Sequence, residues 1–233
     1  MRVLLFDIDG TLIRSNSAGR MAMAAALEEM FGSSGLLDSY NMGGKTDARI
    51  FTDLLTAMGV DANEISAKLP DAYSLMAEKA RDIYPGRGIK ACPGVNGLLD
   101  NLRNRKEVLL GLLTGNSHST APLKLEEAGI NPAQFVVGAY GSEDLDRNQL
   151  PDIALQRANE LTGLRLTGDN TIIIGDTPAD IMCARAGKAT AVAVASGWHS
   201  AKTLTRYHPD TLFEDLSDTK SVLRVLLGGE EGG

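Results

Sequence analysis

The feature that most constrains the fold is a series of short apolar runs separated by segments with helical patterning. One run occupies residues 3–6, and from about residue 93 onward further runs alternate with helix-like segments. Alternation of this kind is typical of βα units and a parallel sheet, whose strands are buried on both faces. We therefore predict an α/β fold, with its later strands at 108–115, 134–140, 171–176 and 189–195.

The segment from residue 15 to residue 92 has a different pattern. It contains no strand-like run, and its apolar residues recur at helical spacing, as Ile50, Leu54 and Met58 do. We predict an all-helical domain at 15–92, inserted into a core domain made of 1–14 and 93–227, and a disordered tail at 228–233. Pro70 is expected to break or restart one of the inserted helices.

Composition and charge narrow the classes of partner. The 233 residues include 43% hydrophobic residues, and 23 basic against 30 acidic residues give a net charge of −7. This balance argues against a nucleic-acid partner, and no apolar run approaches the length of a membrane span. The two cysteines, Cys92 and Cys183, suggest neither a metal site nor a disulfide framework. We expect a cytoplasmic protein; the oligomeric state is not determined by the sequence.

Two carboxylates end the first apolar run, one residue apart, in the sequence FDIDG. Side chains two residues apart on an extended strand point to the same side, so Asp7 and Asp9 can reach one small volume. Two anions held there repel each other unless a cation lies between them or one keeps its proton. The pair therefore indicates a functional site.

Two other predicted strands end in small polar or acidic residues. Thr114, Gly115 and Asn116 follow the run that begins at residue 108, and Asp176 follows the run that begins at residue 171. In open parallel sheets, ligands bind beyond the carboxyl ends of strands, where the strand order reverses. A cluster of carboxylates there suits Mg²⁺, which binds a few carboxylates together with waters and substrate phosphate oxygens.

These motifs, D-x-D-G-T-L, T-G-N and G-D-T-x-x-D in this order, resemble those of the haloacid dehalogenase-like hydrolase superfamily. The helical insert resembles the cap domain of its phosphoglycolate phosphatase and β-phosphoglucomutase branch. The resemblance implies a Rossmann-like core with a mobile cap. It also implies Mg²⁺ as cofactor and phosphoryl transfer through an aspartyl phosphate.

The resemblance also assigns roles to the acidic residues. Asp7 would be the nucleophile and a metal ligand, and Asp176 a second carboxylate ligand. Asp9 would be the general acid and base, with a partly raised pKa, and its main-chain carbonyl would bind Mg²⁺. For Asp180 two interpretations stay open, which are support of the metal site and capping of a helix that begins after Thr177.

A basic residue, usually lysine, forms the third motif of the family, and here the sequence departs from the pattern. The expected region, DLDRNQLPDIAL, offers Arg147, which can bind a phosphoryl group bidentately; Lys124 is the alternative cation. Thr114 and the Gly115 N–H would bind phosphate oxygens. In the insert, Lys45 is expected on a loop over the active site, although the same segment can be read as a helix start.

The residues and the resemblance together predict a Mg²⁺-dependent phosphatase acting on a small phosphorylated metabolite. A sugar-phosphate mutase of the same fold is the first alternative, since Asp9 serves either reaction. From a different class, a receiver-like domain or a non-catalytic phosphate-binding module would also gather carboxylates around a metal. A receiver domain is disfavoured by the length of this chain and by its helical insert.

Overall fold

The computed structural model describes residues 1–229 and begins with a strand that enters the middle of a sheet. The strands of the described chain are short. They are β1 (Arg2–Phe6), β2 (Ile13–Arg14), β3 (Lys90–Ala91), β4 (Val108–Thr114), β5 (Val137–Tyr140), β6 (Thr171–Gly175), β7 (Thr190–Val194) and β8 (Thr211–Phe213). Five of them, β1, β4, β5, β6 and β7, lie at the predicted runs.

The main sheet has the strand order β5-β4-β1-β6-β7-β8, with every neighbouring pair parallel. β1 lies between β4 and β6, and Val3 is in register with Leu109 on one side and Thr171 on the other. The α/β prediction is confirmed, including all the predicted strands. β8 was not predicted, because its three residues at the sheet edge are only half-buried and give a weak apolar signal.

The helices connect these strands or form the insert. They are α1 (Ala18–Phe31), α2 (Asp47–Ala57), α3 (Ala62–Ile83), α4 (Val95–Leu102), α5 (Ala121–Glu127), α6 (Leu150–Thr162), α7 (Pro178–Ala186), α8 (Ala201–Thr205) and α9 (Thr219–Leu227).

Both faces of the sheet are covered. On one face, Leu4 and Phe6 pack in a core that also contains apolar residues of α4, α5 and α9 and of the insert. On the other, Val3 and Leu5 pack with residues of α6, α7 and α8. Successive strand residues point to opposite faces, so a strand buried on both faces needs an uninterrupted apolar run, as β1 has.

The insert is attached through a small two-stranded sheet. β2 and β3 pair antiparallel, with Ile13 opposite Ala91, and α1, α2 and α3 lie between them in the chain. The predicted all-helical insert is therefore confirmed, except that β3 falls inside the segment read as helical. The domain limits 15 and 92 lie next to this strand pair and stay a prediction.

Helix α3 differs from the prediction, because Pro70 neither breaks nor restarts it. The helix runs without interruption from Ala62 to Ile83. An interior proline costs about 3 kcal/mol, since it removes one hydrogen bond and crowds the preceding turn. Here Ile65, Ala72 and Met76 are buried on either side of the proline, and α3 packs along α1. Burial of the helix on both sides of Pro70 offsets this cost.

At the other end of the chain, Gly228 adopts a left-handed conformation and ends α9. The predicted disordered tail, 228–233, thus begins with residues that cap a helix, and 230–233 lie outside the described residues. Across residues 1–229 no helix combines the length and apolar character that crossing a membrane would need.

Candidate active site

The carboxyl ends of β1, β4 and β6 meet because these strands are neighbours in the sheet. The chain proceeds outward from β1 through β4 to β5 and then crosses to β6 on the other side, so strand order reverses beside β1. Open α/β sheets bind ligands at such a position. A cavity of about 1030 Å³ lies there, lined by core residues including Asp7 and by insert residues including Lys45.

Asp7 lies directly after β1 and is buried, with its main-chain N–H bonded to the carbonyl of Ile174 on β6. Its carboxylate oxygen Oδ1 is 3.2 Å from Nη2 of Arg147. Burial raises the pKa of Asp7 to about 6, against the opposing effect of the Arg147 charge. The guanidinium therefore favours the ionised form that a nucleophile needs.

Arg147 begins a short 3₁₀ turn before α6, and its side chain is buried. The guanidinium forms ion pairs with both Asp7 and Asp180, which lie on different segments of the chain. Of the two cations considered for the third motif, Arg147 is the one beside Asp7. Phosphate binding by Arg147 stays a prediction.

Asp176, Asp7 and Asp180 form a compact acidic cluster, with one carboxylate oxygen of each within 4.8 Å of the others. Asp176 follows β6 and is fully buried. Its Oδ1 accepts a 3.4 Å hydrogen bond from Thr11, whereas its buried Oδ2 has no partner within residues 1–229. Burial, followed by repulsion from Asp180 and Asp7, raises the pKa of Asp176 to about 8.

Asp180 forms a capping box with Thr177, which was one of the two roles predicted for it. Its Oδ2 accepts hydrogen bonds from the Thr177 N–H at 2.9 Å and hydroxyl at 2.7 Å, and Thr177 accepts one from the Asp180 N–H. Capping of α7 is therefore observed. Because Asp180 also holds Arg147, it can in addition orient groups around a metal, and this second role stays a prediction.

Glycine is required where two loops approach Asp176. Gly10 has a positive φ of 86°, and a Cβ atom there would lie 2.3 Å from Asp176 Oδ2. At Gly197, in the loop after β7, a Cβ would lie 1.7 Å from the same oxygen. A side chain at either position would displace the carboxylate, so both glycines shape the acidic cluster.

Asp9 points to a different set of partners. Its Oδ2 accepts hydrogen bonds from Lys124 Nζ at 2.6 Å and from Asn116 Nδ2 at 2.8 Å. Burial would raise the pKa of Asp9, but the Lys124 charge and these hydrogen bonds outweigh it and lower the pKa. This direction is opposite to the expected one, because the sequence did not reveal that Lys124 would lie beside Asp9.

Thr114 and Gly115, the predicted phosphate-binding residues, end β4 beside this group. The Thr114 side chain is fully buried, and its hydroxyl accepts a 2.8 Å hydrogen bond from Asn116 Nδ2. Gly115 lines the cavity and lies against the insert, since a Cβ there would be 2.1 Å from the main-chain oxygen of Lys45. Gly115 therefore contacts both the cavity and the insert.

The start of α2 is docked onto the sheet. Thr46 caps the helix, and the main-chain N–H groups of Asp47 and Ala48 donate to the carbonyls of Gly115 at 2.7 Å and Gly141 at 2.8 Å. The predicted helix start is therefore observed, and it lies at the cavity; contact of Lys45 with a substrate stays a prediction. Lys45 lines the cavity, but its ammonium contacts the Tyr40 hydroxyl at 2.6 Å instead of the acidic cluster.

Two site residues were not assigned a role from the sequence. Asn116 hydrogen-bonds Asp9, Thr114 and Lys124, and Asp47 accepts a 2.7 Å hydrogen bond from the Ser117 N–H. Asn116 could have been found from its place in T-G-N at the end of a strand. Nothing in the sequence around Asp47 indicates that it is buried against the core.

Comparison with known proteins identifies the family. The sequence model of the family described as haloacid dehalogenase-like hydrolase matches residues 4–194. Pyrophosphatase PpaX of Oceanobacillus iheyensis is 25% identical over 227 residues, which cover 96% of this chain and 97% of that protein. Phosphoglycolate phosphatase of Rhodospirillum rubrum is 28% identical over 211 residues, covering 84% of this chain and 80% of that protein.

The solved structures agree in fold. A hydrolase from Pseudomonas syringae matches with a TM-score of 0.69 and 21% identity, covering 97% of this chain and 99% of that chain. Since the family match spans most of the sequence and the two relatives are phosphatases, the chain belongs to the haloacid dehalogenase-like hydrolase family and is a phosphatase-type enzyme of that family.

Proposed function

We propose that this protein is a Mg²⁺-dependent phosphatase that hydrolyses a small phosphorylated metabolite through an aspartyl phosphate on Asp7. The observation that carries the proposal is that two neighbouring carboxylates have different partners. Asp7 lies beside Arg147 and two further carboxylates, while Asp9 lies beside Lys124 and Asn116. Asp7 thus lies beside a cation that favours its ionised form, and Asp9 is held apart from it by other partners.

The reaction takes two steps. In the first, an Asp7 oxygen attacks phosphorus while the bond to the leaving oxygen breaks, and Asp9 supplies the proton that the leaving oxygen takes up. In the second, water attacks the phosphorus of the aspartyl phosphate and gives a proton to Asp9. Inorganic phosphate leaves and Asp7 is regenerated. Arg147 stabilises the negative charge on the phosphoryl group in both steps.

The acidic cluster fits a divalent cation. Asp7, Asp176 and Asp180 face a single buried guanidinium, which leaves two negative charges in excess when all three carboxylates are ionised. The buried and unpartnered Oδ2 of Asp176 adds a free oxygen ligand within the described chain. Asp7 and Asp176 would hold Mg²⁺, with the main-chain carbonyl of Asp9 as a further ligand. When bound, Mg²⁺ supplies positive charge to the phosphoryl oxygens.

The insert and the core together supply the surroundings of the leaving group. Lys45, Arg14, Arg20 and Trp198 lie around the cavity at a position suited to contact the part of the substrate that is not phosphate. Changes in the loop 44–49 should therefore alter substrate preference more than the chemistry. The named substrates of the relatives, pyrophosphate and phosphoglycolate, are the first candidates for this enzyme.

A trapping experiment with an aryl phosphate tests the mechanism, because an aryl leaving group departs with little help from an acid. Rapid quench and mass spectrometry should detect phosphorylated protein that accumulates in Asp9→Ala, in which no base activates water. Asp7→Asn should give none, since an amide is a poor nucleophile. Phosphorylation of Asp7→Asn at the same peptide would refute the assignment.

A second experiment tests the metal and the substrate class. Pyrophosphate, 2-phosphoglycolate and a set of sugar phosphates are assayed for phosphate release with Mg²⁺ and with excess chelator. Phosphate release that depends on Mg²⁺ supports the proposal, and undiminished turnover in chelator contradicts it. Formation of an isomerised sugar phosphate without free phosphate would instead identify a mutase.

A further inference from the structure

Lys124 is a buried cation with no role in the mechanism described so far. It lies on α5, and its side chain is 4% exposed. Its ammonium donates two short hydrogen bonds, to Asp9 Oδ2 and to Asn116 Oδ1, both at 2.6 Å. A buried ammonium needs such partners, but nothing about burial alone requires that one of them be the proposed acid and base.

Asn116 completes a closed triangle with these two groups. Its Nδ2 donates to Asp9 Oδ2 at 2.8 Å and to the Thr114 hydroxyl at 2.8 Å, while its own Oδ1 accepts from Lys124. Asp9 Oδ2 thus receives two hydrogen bonds from different directions. Its other oxygen, Oδ1, is buried and has no protein partner in the part of the chain that is described. Pinning Oδ2 fixes the rotation of the carboxylate and leaves Oδ1 available for proton transfer.

The insert covers this triangle. Gly19 lies on α1, and a Cβ atom there would be 2.9 Å from the ammonium of Lys124. A side chain at residue 19 would therefore require the end of the Lys124 side chain to shift. The position of the ammonium is set from two sides, by the core residues Asp9 and Asn116 and by the insert.

We propose that Lys124, together with Asn116, is a positioning residue that holds the Asp9 carboxylate with Oδ1 oriented for proton transfer. This inference rests on the proposed function of Asp9. It assigns Lys124 to the steps that need Asp9, which are protonation of a poor leaving group and activation of water. Attack by Asp7 on an aryl phosphate needs neither, so that step is independent of Lys124.

The two steps are separated by measuring the burst of aryl alcohol and the decay of phosphorylated enzyme in Lys124→Met. The burst should stay close to that of the wild type, while dephosphorylation slows by about 10- to 100-fold, the range for losing a partner that orients a functional ligand. In an Asp9→Ala background, Lys124→Met should cause no further slowing, because the group that it positions is already absent. Lys68→Met, which removes an exposed lysine paired with Glu64 on α3, is the matched control and should match the wild type.

Gly19→Ala offers a second variant that keeps every charge, and alanine is favourable within a helix. The added methyl group displaces the Lys124 ammonium, so dephosphorylation should slow while the burst is retained. A burst and a turnover rate that fall in the same proportion in Lys124→Met would indicate a structural role only and overturn the inference. So would unchanged dephosphorylation in Gly19→Ala, or an additive effect in the Asp9→Ala background.

The failure of the inference is distinguishable from failure of the proposed function. If the wild type and Asp9→Ala both form no phosphorylated enzyme, the proposed mechanism falls and the inference falls with it. If the wild type is phosphorylated and Asp9→Ala accumulates the intermediate, the mechanism stands, and the Lys124 variants alone decide the inference.

Discussion

At the scale of single residues, the site depends on how two buried cations are distributed among the carboxylates. Arg147 contacts Asp7 and Asp180, and Lys124 contacts Asp9. Arg147 is buried with both of its partners, so its removal leaves uncompensated buried charge, whereas Lys124 is buried but the Asp9 side chain is 35% exposed. The arrangement keeps the two neighbouring carboxylates in separate electrostatic surroundings.

Arg147→Ala should raise the activation barrier by about 2–4 kcal/mol, the scale for losing one preorganised charge-stabilising group. This corresponds to a loss of roughly 30- to 1000-fold in kcat/KM. The variant also loses stability, because Asp7 and Asp180 stay buried without their cation, so activity is measured where circular dichroism shows it folded. Arg103→Ala, which removes an exposed arginine paired with Asp100, is the control. Wild-type kcat/KM in Arg147→Ala would contradict the assignment.

Asp47 provides a test by pH. Burial raises its pKa to about 6, although the positive charge of Lys124 acts to lower it. Between about pH 4 and pH 6, Asp47 keeps its proton in the folded state and releases it in the unfolded state. The free energy of unfolding therefore decreases as the pH rises through this range. Asp47→Asn keeps an acceptor for the Ser117 N–H and removes this dependence. Above pH 6 it should be more stable than the wild type by up to about 3 kcal/mol.

The difference between Asp47→Asn and the wild type should shrink as the pH falls through 6 toward 4, because the folded wild type takes up the proton on Asp47 over this range. Urea unfolding of both proteins across this range measures it. Asp82→Asn makes the same charge change at an exposed position and serves as the control. A stability difference that does not vary with pH would show that burial of Asp47 has no such effect.

At the scale of elements, the start of α2 is joined to the ends of β4 and β5 through main-chain hydrogen bonds. Such bonds require close approach of two backbones. A Cβ at Gly141 would lie 1.8 Å from the Gly115 carbonyl oxygen, and a Cβ at Gly115 would lie 2.1 Å from the Lys45 carbonyl oxygen. The absence of side chains at these positions therefore permits the insert to close on the sheet.

Gly115→Ala should prevent this closure. Displacement of the insert by about 1 Å can cost on the order of 100-fold in rate, because the reacting groups are no longer aligned and water enters the site. We expect kcat/KM to fall by about this factor for every substrate. Gly86→Ala is the matched control, since a Cβ there has open space around it. Equal activity of the two variants would show that closure at Gly115 is not required.

At the scale of the whole molecule, the proposed Mg²⁺ site would link metal binding to stability. Asp7 follows β1 and Asp176 follows β6, so a cation held by both would join segments that are distant in sequence. A ligand that binds only the folded state stabilises it by about 2.7 kcal/mol at 100 times its dissociation constant. For a chain of this size that corresponds to roughly 5–10 °C in Tm.

Mg²⁺ should therefore raise the Tm of the wild type at pH 8, and Asp176→Asn should lose most of this gain. Without Mg²⁺, Asp176→Asn should be the more stable protein, because burial and repulsion from Asp180 and Asp7 disfavour the Asp176 charge. Differential scanning fluorimetry with Mg²⁺ and with chelator measures both effects. The same gain with Mg²⁺ in both proteins would exclude Asp176 as a ligand.

The sequence alone predicts every strand of the main sheet except β8, together with the helical insert and the carboxylates at the strand ends. These features depend on interactions within a few residues, since apolar periodicity identifies β1 and β6, and the residues around Thr177 specify the start of α7. The same local reasoning failed at Pro70, where packing of α3 against α1 outweighs the helix-breaking tendency of a proline.

Which charges lie next to each other depends on the packing of the folded chain. Arg147 is 140 residues from Asp7 in the chain and Lys124 is 115 residues from Asp9, so their pairing depends on how α5, α6 and the sheet pack. The direction of the Asp9 pKa follows from the same long-range packing, because Lys124 lies beside Asp9 only in the folded chain. Residue type and spacing specify which groups reach the edge of the sheet, whereas Coulomb interactions depend on distances that only the folded chain defines.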